Sequence, residues 1–205
     1  MTDDNTTPKG TPVSTPERLT ENGVQIVRFD AAEMPDSYIQ QLVSKSRQDH
    51  VMEHEGHEDV GDEQNPGRFY DIDSYKKWAT KGRTVYLMIG NKGKDVGGVV
   101  WFGKRANEHV QDCDTTFAIR IYAQDSAHGW EQYQGKGYGA PYMQATHQDY
   151  MEQNPSATIW LDVVDENKGA IHVYKKAGYI EDSVVQDPEY PERKRVIMTY
   201  DSGAR

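Results

Sequence analysis

The stretch that most restricts this chain runs from Gln134 to Val164. Its end, Thr158-Ile159-Trp160-Leu161-Asp162-Val163-Val164, is a near-continuous apolar run. A strand of that kind is buried on both faces of its sheet. Its start, Gln134-Gly135-Lys136-Gly137-Tyr138-Gly139-Ala140-Pro141, sets three glycines at alternate positions just before a helical segment reaching about Gln153. Glycines let backbone N–H groups approach a ligand closely. The first N–H groups of a helix lack internal partners and carry partial positive charge. Together they form an anion seat, most often for phosphate. Pro141 falls in the first turn, where its missing N–H costs little. The loop lacks the Gly-Lys-Ser/Thr ending of a Walker loop and the spacing of the dinucleotide fingerprint.

Around this stretch, strands and helices alternate. Val24–Phe29 reads as a strand, and Pro35-Asp36-Ser37 opens an amphipathic helix to about Arg47. Asp71–Ser74 starts a second helix that Gly82 stops. Val85–Ile89 and Val96–Phe102 flank an Asn/Gly turn and read as a hairpin. Thr115–Tyr122 is a strand with Phe117, Ile119 and Ile121 on one face and Ala118, Arg120 and Tyr122 on the other. Asn167 opens a fourth helix that Gly178 ends. Tyr179–Val185 and Arg195–Thr199 are the last strands. Residues 1–20 are rich in Thr, Pro and Asp with almost no large apolar side chains, so they are expected to be a disordered or loosely held tail before a single domain of residues 21–205.

The run from Leu161 through Asn167, Ala170 and Tyr174 to Gly178-Tyr179 carries a specific resemblance. It is similar to the GNAT superfamily of acetyl-coenzyme A-dependent N-acetyltransferases. That family has an Arg/Gln-x-x-Gly-x-Gly/Ala loop, matched by Gln134, Gly137 and Gly139. After one helix comes a strand, then Asn, then a helix with Ala and Tyr, then Gly and an aromatic. The resemblance implies an α/β GNAT fold: a mixed, mostly antiparallel seven-stranded sheet, flanked by about four helices, with splayed central strands. It implies acetyl-CoA as co-substrate, its diphosphate on the main chain of Gln134, Gly135, Lys136, Gly137, Tyr138 and Gly139. The pantetheine arm would meet the strand edge at Ile121 and the side chain of Asn167. Asn167 also reads as a plain helix cap.

Acetyl transfer to an amine needs three things. The amine must lose a proton; an alkyl ammonium with pKa near 10.4 holds it at neutral pH at a cost of about 4.6 kcal/mol. The developing oxyanion needs donors, and the leaving thiolate needs a proton. The resemblance places Tyr174, seven residues after Asn167, as the thiolate's acid, and Asp162, five residues before Asn167, as the base, with Asp125, Glu131 and Glu55 as competitors. Tyr174 also reads as a core tyrosine.

Two segments depart from regularity. Gln48–Arg68 holds His50, His54 and His57 among many carboxylates. A solvated acidic loop explains it. No metal is expected, since no Cys joins the histidines and the string departs from His-Glu-x-x-His. In relatives this segment lines the acceptor pocket, where Glu55, Glu58 and Asp59 would suit a cationic substrate. Ala123–Tyr133 is longer than in most relatives and reads as a surface insertion or as a lid.

The formal net charge of −10 argues against nucleic acid and mildly favours a cationic small molecule. A single cysteine, Cys113, excludes an internal disulfide and suits a reducing cytoplasm. No apolar run reaches the ~18–20 residues that span a bilayer, and no signal pattern opens the chain. The expected protein is therefore a cytoplasmic monomer or homodimer that acetylates a small, cationic primary amine. The alternatives are a protein N-terminal or lysine acetyltransferase and a non-catalytic acyl-CoA-binding module.

Overall fold

A computed structural model describes residues 10–53, 71–90, 93–123, 132–187 and 190–201. The strands are β1 (Thr11–Val13), β2 (Gln25–Asp30), β3 (Arg83–Gly90), β4 (Asp95–Lys104), β5 (Thr115–Ile121), β6 (Ile159–Val164), β7 (Tyr179–Gln186) and β8 (Lys194–Tyr200). The α-helices are α1 (Glu17–Thr20), α2 (Asp36–Glu53), α3 (Ile72–Ala79), α4 (Gly139–Gln153) and α5 (Lys168–Ala177). The strands form one sheet in the order β1-β2-β3-β4-β5-β6-β8-β7. Every neighbouring pair is antiparallel except β5 with β6.

Strand alternation divides the core in two. Tyr86, Met88, Val100, Phe102, Phe117, Leu161 and Val163 face α4 and α5, meeting Tyr142, Met143, Tyr150 and Ile171. Val85, Leu87, Ile89, Val99 and Tyr122 face α2 and α3, meeting Ile39, Leu42 and Tyr75. Each fully buried Leu, Ile or Val contributes about 1.5–3 kcal/mol. Among the described residues no helix is long and apolar enough to cross a membrane.

Polar pins fix the helices on both faces. On the first face, the Asp149 carboxylate of α4 accepts from Arg28 Nη1 at 2.6 Å and from Tyr86 Oη at 2.9 Å, while Tyr142 Oη donates to the Tyr86 carbonyl. His147 is buried, its Nδ1 at 2.7 Å from the Met143 carbonyl and its Nε2 at 2.7 Å from Tyr179 Oη. With Nδ1 protonated, Nε2 accepts from the tyrosine and both ring nitrogens are satisfied. On the other face, Lys45 of α2 is almost wholly buried and donates to Asp95 Oδ1 at 2.8 Å and to the Val96 carbonyl.

Two expectations need correcting. Among the described residues the sheet has eight strands rather than seven, and five α-helices rather than about four flank it. Both additions come from residues 11–20, which were expected to be loose. β1 pairs with the edge of β2, from Thr11↔Arg28 to Val13↔Ile26. Main-chain pairing needs few apolar side chains, and two suffice here: Val13 and Leu19 are buried in the α4/α5 core. Residues 1–9 lie outside the described residues.

Candidate active site

The glycine loop is held at its entry. The Tyr133 ring is buried against Gly90 and Gly97, where a Cβ would collide with it. The next amide, Gln134 N–H, donates to the Tyr122 carbonyl at the end of β5. The chain then turns through Gly135 (φ 79°) and Gly137 (φ 74°), a left-handed conformation that L side chains rarely adopt. Lys136 between them has negative φ, and such alternation lets successive N–H groups converge on an anion. Gln134 to Gly137 are exposed. Tyr138 is the α4 N-cap and makes no side-chain cap bond, leaving the first-turn N–H groups without a side-chain acceptor. Its ring is buried, so only its main chain belongs to the loop. A Cβ on Gly139 would lie 3.0 Å from Val173 Cγ1 and 3.7 Å from Ile121 Cδ1, so a bare residue here lets α4 sit close to α5 and β5. The loop fits a diphosphate: exposed main-chain donors, the positive end of α4, and two glycines in the required conformation.

Beside the loop, the sheet opens. β5 and β6 pair only at Thr115↔Ile159 and Thr116↔Trp160. Beyond that, β5 from Phe117 to Ile121 keeps its partner β4, and β6 from Trp160 to Val164 keeps β8. The facing edges of β5 and β6 are therefore unpaired toward Ile121, and a polar arm can satisfy them. Asn167 caps α5 through Oδ1, which accepts from Ala170 N–H at 3.0 Å. The plain capping reading is thus realised, and the exposed carboxamide keeps its Nδ2 for another acceptor.

Tyr174 stands on α5 with its ring 5.9 Å from that of Tyr179. Burial pushes its phenol above the ordinary value; the Arg120 guanidinium opposes the rise and the Asp162 carboxylate adds to it. Arg120 belongs to β5 and Asp162 to β6, one on each of the parted strands. Asp162 is exposed on β6, where Arg195 Nε donates to its Oδ2 at 2.6 Å. Arg195 also donates to the buried Asp187 at 3.0 Å. The second Asp162 oxygen, Oδ1, accepts no hydrogen bond among the described residues.

The structure thus gathers Tyr174, Asp162, Ile121 and the glycine loop around the parting of β5 and β6. Glu55, Glu58, Asp59, Asp125 and Glu131 lie outside the described residues, as do His54 and His57. Cys113 is not among the gathered residues; burial and the carboxylates of Asp182, Asp112 and Asp114 push its thiol up, the opposite of nucleophile activation. Three arginines escaped sequence reasoning. Strand alternation had set Arg120 opposite the Phe117 face, which was its available signal. Arg195 had none, and Arg18 stood in the supposed tail. Arg18 Nη2 donates to the Lys136 carbonyl at 2.9 Å.

Comparison with known proteins bears on the family and the fold. The model of the family described as "Acetyltransferase (GNAT) family" matches residues 51–179. No curated protein matches the chain. Among solved structures, a GnaT-family acetyltransferase from Bordetella pertussis is 17% identical, with 86% of this chain and 95% of that one covered and a TM-score of 0.59. The enzyme AAC(6')-Ib in complex with ribostamycin and coenzyme A is 17% identical over 88% and 94%, with a TM-score of 0.58. A spermidine N-acetyltransferase chimera from Vibrio cholerae and hSSAT is 16% identical over 82% and 91%, with a TM-score of 0.54. At these identities the structural matches bear on the fold.

Proposed function

Because this chain belongs to the acetyltransferase (GNAT) family, whose members use acetyl-CoA, we propose that it acetylates a primary amine of a small, cationic acceptor. The observation that carries the reading is the parting of β5 from β6 toward Ile121, next to a loop whose Gly139 lies against Ile121 and against Val173, the chain neighbour of Tyr174. Acetyl-CoA supplies the thioester acetyl group. The main chain of Gln134, Gly135, Lys136, Gly137, Tyr138 and Gly139 holds the diphosphate. The unpaired β5 edge at Ile121 and the Asn167 carboxamide hold the arm. Tyr174, a phenol protonated at neutral pH, gives its proton to the departing thiolate. Asp162 Oδ1 takes the proton from the ammonium, while Arg195 fixes the carboxylate through Oδ2. Direct attack follows, with no covalent enzyme intermediate.

The choice of a small cationic acceptor is supported by the net charge of −10. It is also supported by neighbours whose titles name aminoglycoside and spermidine acetyltransferases. The acidic Glu55, Glu58 and Asp59 are proposed to contribute to acceptor binding. A second reading, acetylation of a protein N-terminus, is supported by the likeness to a ribosomal-protein-S5-alanine acetyltransferase from Vibrio fischeri, 10% identical with a TM-score of 0.58. Thiol release from acetyl-CoA with a panel of polyamines, aminoglycosides and peptides separates the two. Turnover with the small cations supports the first reading. Turnover confined to peptides replaces it with the second, and binding without any turnover removes both.

A further inference from the structure

We propose that Arg18 is a positioning residue for the donor: it aims the Gly137 amide at the diphosphate by holding the Lys136 carbonyl from behind. The proposal rests on the acetyl-CoA reading above. The peptide between Lys136 and Gly137 is planar and trans, so its C=O and N–H point in opposite directions. A donor fixed on the Lys136 oxygen therefore sets where the Gly137 N–H points. Arg18 Nη2 makes that bond at 2.9 Å. The guanidinium also lies against Gly137 itself: a Cβ there would be 2.5 Å from Nη2 and 3.1 Å from Cζ. A bare Gly137 thus serves two ends, the left-handed turn and the approach of the cation.

Three further observations support the assignment. First, Arg18 is carried by an anchored segment. Its neighbour Leu19 is fully buried, β1 is hydrogen-bonded to β2, and the Arg18 carbonyl accepts from Asn22 Nδ2 at 2.8 Å. Second, no carboxylate among the described residues pairs with its guanidinium, so its charge is not neutralised locally. A chain of net charge −10 repels a diphosphate, and a cation behind the loop offsets that repulsion where the anion sits. Third, a hydrogen bond from a charged donor to a peptide oxygen polarises the same peptide's N–H and strengthens the bond that N–H gives. The segment before β2 thus becomes part of the donor site without touching the substrate. By linkage, the donor strengthens the docking of that segment as much as the segment strengthens the donor.

Calorimetric titration of coenzyme A into wild type, Arg18→Ala and Arg18→Lys tests the proposal, alongside kinetics with acetyl-CoA and with acetyl-pantetheine, which lacks the diphosphate. We expect Arg18→Ala to weaken coenzyme A about tenfold, the scale of a modest coupling between a positioning group and a ligand, and to raise KM for acetyl-CoA with kcat unchanged. Arg18→Lys should recover part of the loss. With acetyl-pantetheine, kcat/KM should stay within about twofold, whereas a general scaffold role would lower it in step. Coenzyme A affinity within about twofold of wild type in Arg18→Ala overturns the proposal, and so does an equal loss with acetyl-pantetheine. Wild type failing to bind coenzyme A would instead bring down the donor reading, and this inference with it.

Discussion

The two sides of the sheet solve different problems. The α4/α5 side offers the proposed donor a backbone surface: left-handed glycines, a helix start with no side-chain cap from Tyr138, and two parted strand edges. The α2/α3 side is held by side chains, and its distinctive device is the buried Lys45–Asp95 pair that ties α2 to the start of β4. A main-chain grip recognises what every acetyl-CoA shares. A side-chain surface can differ between relatives. The difference teaches that, on the proposed function, donor binding can be perturbed without touching the α2/α3 side.

The largest effect expected is chemical. Tyr174→Phe should lower kcat by about 10²-fold or more, the usual contribution of a positioned acid, with the calorimetric Kd for acetyl-CoA nearly unchanged. Full activity would remove Tyr174 as the acid and leave the two sides without a shared catalytic group. Next comes Lys45→Met. It leaves Asp95 buried without its cation and should destabilise the fold by about 3 kcal/mol, read as a lower midpoint in urea. If the two sides are separable, donor affinity measured well below that midpoint stays the same. Asp162→Asn should cut kcat/KM for the amine by about 10²-fold, again without changing donor affinity. An unaltered kcat/KM would reduce Asp162 to the partner of Arg195.

Gly137→Ala should act on the donor side alone. The substitution forces a left-handed alanine, costing about 1–2 kcal/mol, and crowds Arg18. Coenzyme A affinity should fall about tenfold, with amine KM unchanged. The smallest effect is on acid stability. The Lys104 ammonium beside Asp114, helped by Thr115 and the Thr158 amide, holds its carboxyl down at about 2. A lowered carboxyl pKa gives stability that is complete above the unfolded value of about 3.9 and is lost as pH falls toward 2. Asp114→Asn should flatten that part of the stability curve by a small amount, because the pair is exposed.

The same contrast explains what could be read in advance. The glycine loop, β6 and α5 lie close together in sequence, and each has a local reason for its shape: φ-permissive residues, an apolar run, and an Asn-to-Gly frame around a helix. Loop, β6 and α5 could therefore be placed from the sequence, while the roles of Tyr174 and Asp162 came from the resemblance alone. Arg18 could not, since its partner lies 118 positions away and the bond is to a carbonyl, which has no residue preference. β1 was hidden for a related reason. Its pairing is backbone to backbone, and its buried anchors Val13 and Leu19 are single apolar residues among polar ones. The Asp162–Arg195–Asp187 chain depends on the register of β6 on β8, Asp162 standing opposite Ile197, which no local pattern encodes.

The Tyr122–Gln134 main-chain bond, with the Tyr133 ring seated on Gly90 and Gly97, has an evolutionary consequence. It closes the base of whatever chain lies between Ala123 and Gln132. Exchange, lengthening or shortening of that stretch leaves the thioester grip downstream in register. Length changes in that stretch can therefore accumulate by descent without shifting the glycine loop from its seat.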